Sequence, residues 1–325
     1  MTSGHGVRDF RHEAILYEGE TEFLEGVAAF VIDGLAAGEP SLVMVSAEKI
    51  DALRGRIGAD GDGLVEYRDM SVVGANPARI IPAWVAFALA QEQRGVVRMR
   101  GVGEPIWPGR AAAQLEECHW HEALINTAFA HLQGFWLVCP YDVAVLDPSV
   151  VREARQTHPL VSDGAAPESL RVHSLVEEFV APTFPLSSSL PQPDSAAVTE
   201  IAFDSGTAGE VRALVAAEGA RAGLLRSRLE DLILAVSEVA TNSIEHGGGR
   251  GVARIWVDDG DVVCEVADRG VISDPLVDRR QPGADLSGPR GLWTVNQLCD
   301  LVQVRSSRDT GSVVRVRVNA GRKLA

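Results

Sequence analysis

Long apolar runs are missing from this chain of 325 residues, and with them any stretch able to span a bilayer as a helix. The opening residues, Met1 to Arg11, are polar and glycine-rich and lack the apolar core of a signal peptide. Cysteine is scarce. Cys118, Cys139, Cys264 and Cys299 are scattered without a CxxC pair, which argues against a disulfide framework and fits a reducing cytoplasm. No basic stripe is present and the net charge is −15, so the molecule's field repels nucleic acid and a direct DNA- or RNA-binding role is not expected. There is no GxxxxGK[ST], which excludes a P-loop. Gly101-Val-Gly103 lacks the third glycine of a dinucleotide fingerprint and reads as a strand-to-helix connection. What is present is the composition of a soluble globular protein, 46% hydrophobic and 23% charged, at a length that asks for two domains.

The sharpest composition break is Ala181 to Ser195, where four prolines and a serine cluster rule out a helix or an inner strand. It reads as an exposed linker over 181–197, between domains at 1–180 and 198–325. Before it, Ala14–Tyr17, Ser41–Ser46, Val96–Arg100 and Phe135–Cys139 read as buried strands. Glu20–Ala37, Pro77–Arg94 and Ala111–Leu132 carry apolar residues at helical spacing. That alternation predicts an α/β domain with a mostly parallel, doubly wound sheet, whose ligands bind beyond the carboxyl ends of the strands. After the linker, a strand at 200–203 and helices at 208–220 and 228–245 precede two hairpins, one around Asp258-Asp-Gly-Asp261 and one around Asp309-Thr-Gly311. Helices on one face of a largely antiparallel sheet make an α+β sandwich.

Leu229, Leu232, Ile233, Val236 and Ala240 form the expected buried stripe of the second of these helices. Glu238, Asn242 and Glu245 share another face. An amide oxygen can ligate a hard cation such as Mg²⁺, and a carboxylate one turn earlier can accept a proton from a hydroxyl nucleophile. Alone, such a face is the solvated side of an amphipathic helix. Three further elements follow it. Asp268-Arg-Gly270 ends a strand, where a carboxylate can accept from an adenine amino group. Ser287-Gly-Pro-Arg-Gly-Leu-Trp293 opens a helix with glycines whose free N–H groups suit phosphates, and Arg290 adds a charge-assisted contact. Gly311-Ser312 starts the last strand. Together the four elements in this order point to an ATP site.

This region resembles the GHKL ATPase superfamily and, within it, the RsbW/SpoIIAB-type anti-sigma-factor serine kinases. Ala235-Val-Ser-Glu-Val-Ala-Thr-Asn-Ser-Ile-Glu-His-Gly247 is similar to the family's asparagine-bearing helix. The resemblance implies a GHKL (Bergerat) fold with ATP and Mg²⁺ as cofactors. Asn242 would hold the metal and Glu238 would be the general base. Asp268 and Gly270 would read adenine, Gly288, Arg290 and Gly291 would form the phosphate lid, and Leu292 and Ser312 would complete the nucleotide site. It further implies a sigma factor and a STAS-domain antagonist as partners, Arg212 as a partner-contacting residue, and a homodimer. The adenine motif departs from the family's D-x-G-x-G: Ile272 replaces the second glycine, and Pro275 implies a rearranged turn.

His12-Glu-Ala-Ile-Leu-Tyr17, Gly34 to Glu39, Cys139-Pro-Tyr-Asp142 and Thr157-His-Pro159 together resemble the MEDS sensory domain of methanogen and methylotroph regulators. That resemblance implies a RecA-like fold and a small-molecule signal. Tyr17, Trp107 and Cys139 are candidates to line a sensory pocket, against a reading as ordinary core packing. Cys118-His-Trp-His121 reads as a helix face rather than a metal site, because His119 points away from the other two.

Two functions of different class follow. One is a cytoplasmic anti-sigma kinase that phosphorylates a serine of its antagonist under sensory control. The other is a non-catalytic partner-switch module that holds ATP as a structural ligand, which Ile272 favours. A histidine kinase, with His121-Glu122 as phosphoacceptor site, is a third reading. It lacks the two-helix dimerisation hairpin such enzymes need.

Overall fold

The computed structural model describes residues 10–58, 63–163, 174–175, 189–193, 198–281 and 291–321. The chain divides into two compact units, Met1–Pro182 and Thr183–Ala325. Of the expected linker, 181–197, only 189–193 are described; Ser189, Pro191 and Gln192 there are exposed and Leu190 is buried.

In the first unit, strands β1 (Arg11–Tyr17), β2 (Ser41–Val45), β3 (Val65–Asp69), β4 (Met99–Gly103), β5 (Phe135–Asp142), β6 (Leu160–Asp163) and β7 (Ser174–Leu175) form one sheet in the order β3-β2-β4-β5-β1-β6-β7. Every pairing is parallel except β6 with β7. The expected α/β architecture is therefore present. Helices α1 (Gly19–Ala36) and α2 (Ala47–Ile57) pack together, with α3 (Met70–Val73), a 3-10 turn (Pro77–Arg79), α4 (Ile80–Gln93), α5 (Ala112–Phe129) and α6 (Pro148–Thr157) completing the unit. Phe23, Val27 and Val31 of α1 cover Ile15, Tyr17, Val43, Val102 and Val138, so α1 lies on the sheet face to which these residues point. Trp84 of α4 lies on the other face.

That tryptophan explains where the sequence reading of this strand fails. Gly101 and Gly103 belong to β4 and not to a connection. A Cβ at either position would stand 2.9 Å from the Trp84 ring, so glycine is what lets the indole lie on the strand. Gly34 plays a similar part for Arg100, whose Cδ would be 2.7 Å from an added Cβ. The buried Arg100 reaches past it to Glu39 Oε2 at 2.7 Å and the Phe30 carbonyl at 2.5 Å.

The second unit is an antiparallel sheet of β8 (Thr199–Asp204), β9 (Arg250–Asp258), β10 (Asp261–Asp268), β11 (Leu301–Ser307) and β12 (Gly311–Asn319) in the order β11-β12-β10-β9-β8. Its helices are α7 (Ala208–Arg221), α8 (Arg226–Glu245) and α9 (Gly291–Leu298). Val211 and Val215 of α7, Leu232, Val236 and Val239 of α8 and Val295 of α9 share one core with Ile255, Cys264, Val302 and Val316 of the sheet. Alternation sends Glu265 and Arg315 to the opposite face, where they form a buried two-pronged ion pair at 2.6 and 3.0 Å. The β9–β10 turn places Asp259 and Gly260 at φ 48° and 82°, the left-handed pair that a two-residue hairpin requires. The α+β sandwich is as expected.

Candidate nucleotide site

Helix α8 buries Leu232, Ala235, Val236, Val239 and Ala240, which leaves Glu238 and Asn242 half-buried on its flank. Both side chains line a cavity of about 710 Å³, together with Asp268, Gly270, Ile272, Gly291, Leu292 and Ser312. That is the size range of small-molecule sites. Eight of the residues that sequence reasoning assigned to this site, counting Ile272, therefore converge. Neither the Glu238 carboxylate nor the Asn242 carboxamide bonds another described side chain, so both are available to a ligand. The remaining two candidates, Gly288 and Arg290, lie outside the described residues.

Asp268, which also lines the cavity, closes β10. Its Oδ2 accepts from Ser243 Oγ at 2.6 Å and its Oδ1 from the Gly270 N–H at 2.7 Å. Each oxygen keeps one lone pair, so the carboxylate is held in place and can still accept from a ligand amine. The backbone around it is packed to the limit that glycine allows. A Cβ on Gly247 would lie 2.4 Å from Asp268 Cγ, and one on Gly270 would lie 2.8 Å from the His246 carbonyl oxygen. Gly311 has φ +79°, and its Cβ would fall 2.0 Å from the Asp268 carbonyl oxygen.

The departure at Ile272 has a structural answer. The Ile272 N–H donates to Ser306 Oγ at 2.8 Å, Ser306 and Ser312 hydroxyls are 2.8 Å apart, and Ser312 Oγ donates to the Gly270 carbonyl at 2.9 Å. Ser312 has one proton and the Gly270 carbonyl receives it, so Ser306 must be the donor to Ser312. The three bonds run in one direction and pin the loop from Gly270 to Ile272 onto the β11–β12 hairpin. Ile272 becomes one wall of the cavity and packs against the core, and the cavity stays open. Ser243 and Ser306 were not singled out from the sequence. The cue for Ser306 was its place opposite Ser312 across the hairpin.

Helix α9 brings Gly291 against Asn242, with an added Cβ only 2.8 Å from the amide nitrogen. Its other end is tied down. The buried Arg228 at the start of α8 donates to the Leu298 carbonyl at 3.0 Å and to Asp300 at 2.5 Å, and Asn296 donates to Asp278 at 3.0 Å. Arg212 stands exposed on α7 and is not part of the cavity.

The three sensory-pocket candidates do not converge. Tyr17 points to the α1 face, where its ring packs at a tilt against Phe23. Its hydroxyl donates to Glu104 at 2.8 Å and accepts from Lys49 at 2.7 Å, and Lys49 also pairs with Glu104. Burial, ahead of the Glu104 charge, pushes that phenol far up, while burial outweighs Lys49 and raises the Glu104 carboxyl. Cys139 is in register with Ala14 of β1 and touches His12, and these point to the face opposite Tyr17. Trp107 is half-buried under Arg110, whose guanidinium lies 3.7 Å from the ring centroid. Cys118 and His121 are buried on α5, and His119 turns to Glu153, as a helix face predicts.

Two family models match the chain. The MEDS model, for the methanogen/methylotroph DcmR sensory domain, matches residues 11–159, and a histidine kinase-like ATPase domain matches residues 201–318. No curated protein matches. Among solved structures, the RsbU and RsbW domains of Rv1364c from Mycobacterium tuberculosis are similar at 23% identity and a TM-score of 0.30, over 41% of this chain and 34% of that one. The cytoplasmic domain of EssC is similar at 14% identity and a TM-score of 0.29, over 49% of this chain and 31% of that one. The chain thus spans about a third of the length of either structure. Among the described residues no helix is long and apolar enough to cross a membrane. The chain is a fusion of a MEDS sensory domain with a histidine kinase-like ATPase domain of the GHKL fold.

Proposed function

We propose that the C-terminal domain binds ATP with Mg²⁺ and is a protein serine kinase of a cytoplasmic partner switch. It sequesters a sigma factor and phosphorylates a STAS-domain antagonist, under a signal received by the MEDS domain across the 181–197 linker. The observation that carries the reading is the pair Glu238 and Asn242, two polar groups one helical turn apart that bond no other described side chain and line a cavity with Asp268. These residues fit the group. Asp268 keeps lone pairs for the adenine amine, the Asn242 amide oxygen is a hard donor for Mg²⁺, and Gly291 leaves that amide room. Magnesium supplies charge neutralisation on the phosphates. Glu238 takes the proton of the attacking serine hydroxyl, and Ser243 and the Gly270 N–H hold Asp268 against rotation. Arg212, exposed on α7, is the proposed partner contact, and two copies form the dimer.

A second reading is favoured by Ile272, which puts a branched side chain where the family has glycine: ATP binds as a structural ligand and no phosphate moves. Labelled ATP with candidate STAS antagonists separates the two. Phosphoserine on the antagonist that falls at least a hundredfold in Glu238→Ala, with ATP still bound, supports the kinase, in keeping with the usual size of general-base effects. ATP binding without transfer to any antagonist supports the module. Histidine phosphorylation is disfavoured because His121 is 1% exposed and α5 runs into strand β5.

A further inference from the structure

Four ligating side chains meet inside the N-terminal unit, on the sheet face opposite Tyr17. His12 of β1, Glu122 of α5, Cys139 of β5 and His158, just past α6, are all buried, with ligand atoms within 4.8 Å of one another. Glu122 Oε2 lies 3.1 Å from His12 Nε2 and 3.3 Å from His158 Nε2. Cys139 Sγ lies 3.4 Å from His12 Nε2 and 3.5 Å from Glu122 Oε2. A tetrahedral ion with bonds of about 2.0–2.3 Å holds its donors about 3.3–3.7 Å apart. The four separations fall around that edge length.

The rings are turned so that lone pairs converge. The Asn126 amide nitrogen donates to the Thr157 carbonyl at 2.8 Å, which leaves its oxygen to accept from His12 Nδ1 at 3.1 Å. The Ala154 carbonyl, 2.8 Å from His158 Nδ1, can only accept, so that nitrogen carries the ring proton. Both Nε2 atoms then face a carboxylate oxygen that also accepts. With the Glu122 carboxylate ionised and no added cation, satisfying both contacts needs two protonated rings whose centroids are 4.0 Å apart in a dry interior. No Lys or Arg pairs with Glu122 among the described residues.

We propose that this cluster binds one divalent transition-metal ion of zinc's class through His12 Nε2, His158 Nε2, Cys139 Sγ and Glu122 Oε2. Two imidazoles, a thiolate and a carboxylate suit such an ion, and one dication cancels the two anionic ligands, leaving the buried site neutral. Binding expels the Cys139 proton to solvent. Asn126 and the Ala154 carbonyl fix the two rings, as outer partners do at metal sites. All four positions are filled by protein, so the ion ties β1, β5, α5 and the end of α6 together and is not a catalytic centre.

The test is metal analysis of the full chain, purified without a metal-affinity tag from zinc-supplemented cells. The expected result is about one equivalent of transition metal per chain, falling at least fivefold in Cys139→Ser and in His158→Gln but not in Cys264→Ser, a thiol of the other unit. Refolding in cobalt is expected to give the near-ultraviolet charge-transfer band of a cobalt–thiolate bond, absent from Cys139→Ser. Folded wild-type chain with less than a tenth of an equivalent and no cobalt–thiolate band overturns the proposal. So does full metal retention in a folded Cys139→Ser, His158→Gln double variant. The wild-type measurements decide the matter even where a variant does not fold.

Discussion

Replacing Asp268 by asparagine separates the ligand contact from the structural one. In the wild type the carboxylate accepts from Ser243 Oγ and from the Gly270 N–H. In the variant the amide oxygen keeps the Gly270 bond and the amide nitrogen turns to Ser243. The serine accommodates it, because its hydroxyl has a second acceptor, the Val239 carbonyl, at 3.2 Å. The fold then loses the charge on two short bonds but neither partner, a cost of about 1 kcal/mol. On the cavity side the exchange is harsher. A charged acceptor for the adenine amine is weakened or replaced by a donor, which removes about 1.5–3 kcal/mol of binding. That corresponds to a roughly 10- to 150-fold rise in Kd for ATP. Titration calorimetry with ATP and Mg²⁺, paired with thermal melts of the same samples, reads both quantities. An unchanged Kd in a variant that melts like the wild type would falsify the placement of adenine at Asp268.

Two other substitutions probe the loop around this carboxylate. Gly311→Ala forces a side chain into a left-handed position at about 1–2 kcal/mol, and its Cβ meets the Asp268 carbonyl, so β10 and β12 must part. A clear fall in melting temperature and loss of ATP binding are expected in calorimetry, and a wild-type melt refutes the account. Ser306→Ala leaves the Ile272 N–H without its acceptor and Ser312 without its donor, an expected destabilisation of about 1–3 kcal/mol. Urea titration measures it. Weakened ATP binding should accompany it, since Gly270 and Ile272 share the same three bonds; a stability equal to wild type would show that the chain of hydroxyls carries no load.

The C-terminal unit was far more legible in the sequence than the N-terminal one, for physical reasons. Its strands are antiparallel and polarity alternates along β9 and β12, and the Asp258-Asp-Gly-Asp261 turn announces its own hairpin. The polar flank of α8 could be read because every nucleotide motif sits near the end of an element. Ser243 and Ser306 escaped notice because each acts through a partner brought close only by folding, 25 and 34 residues away in the chain. In the N-terminal unit α2 buries only Ile50 and Leu53, and β3 is a largely polar edge strand; neither stands out against a loop. Gly101 and Gly103 look like punctuation until Trp84 is laid on them. Tyr17 and Cys139 are candidates for one apolar pocket, against ordinary core packing, because both end apolar runs, but the alternation of a strand sends them to opposite faces. Its partner His12 is 127 residues away, a distance at which no local pattern can pair them.

The tethering of α9 makes that helix a lever. Arg228 and Asn296 hold its carboxyl-terminal half, while Gly291 at the other end rests against the Asn242 amide. Eight residues give an arm of about 12 Å, so a tilt of about 10° about the pinned end displaces Gly291 by about 2 Å. That stroke is comparable to the contact distance it controls. The amino-terminal end of α9 is therefore geared directly to the space beside Asn242, and the clamp at Arg228 serves as the fulcrum.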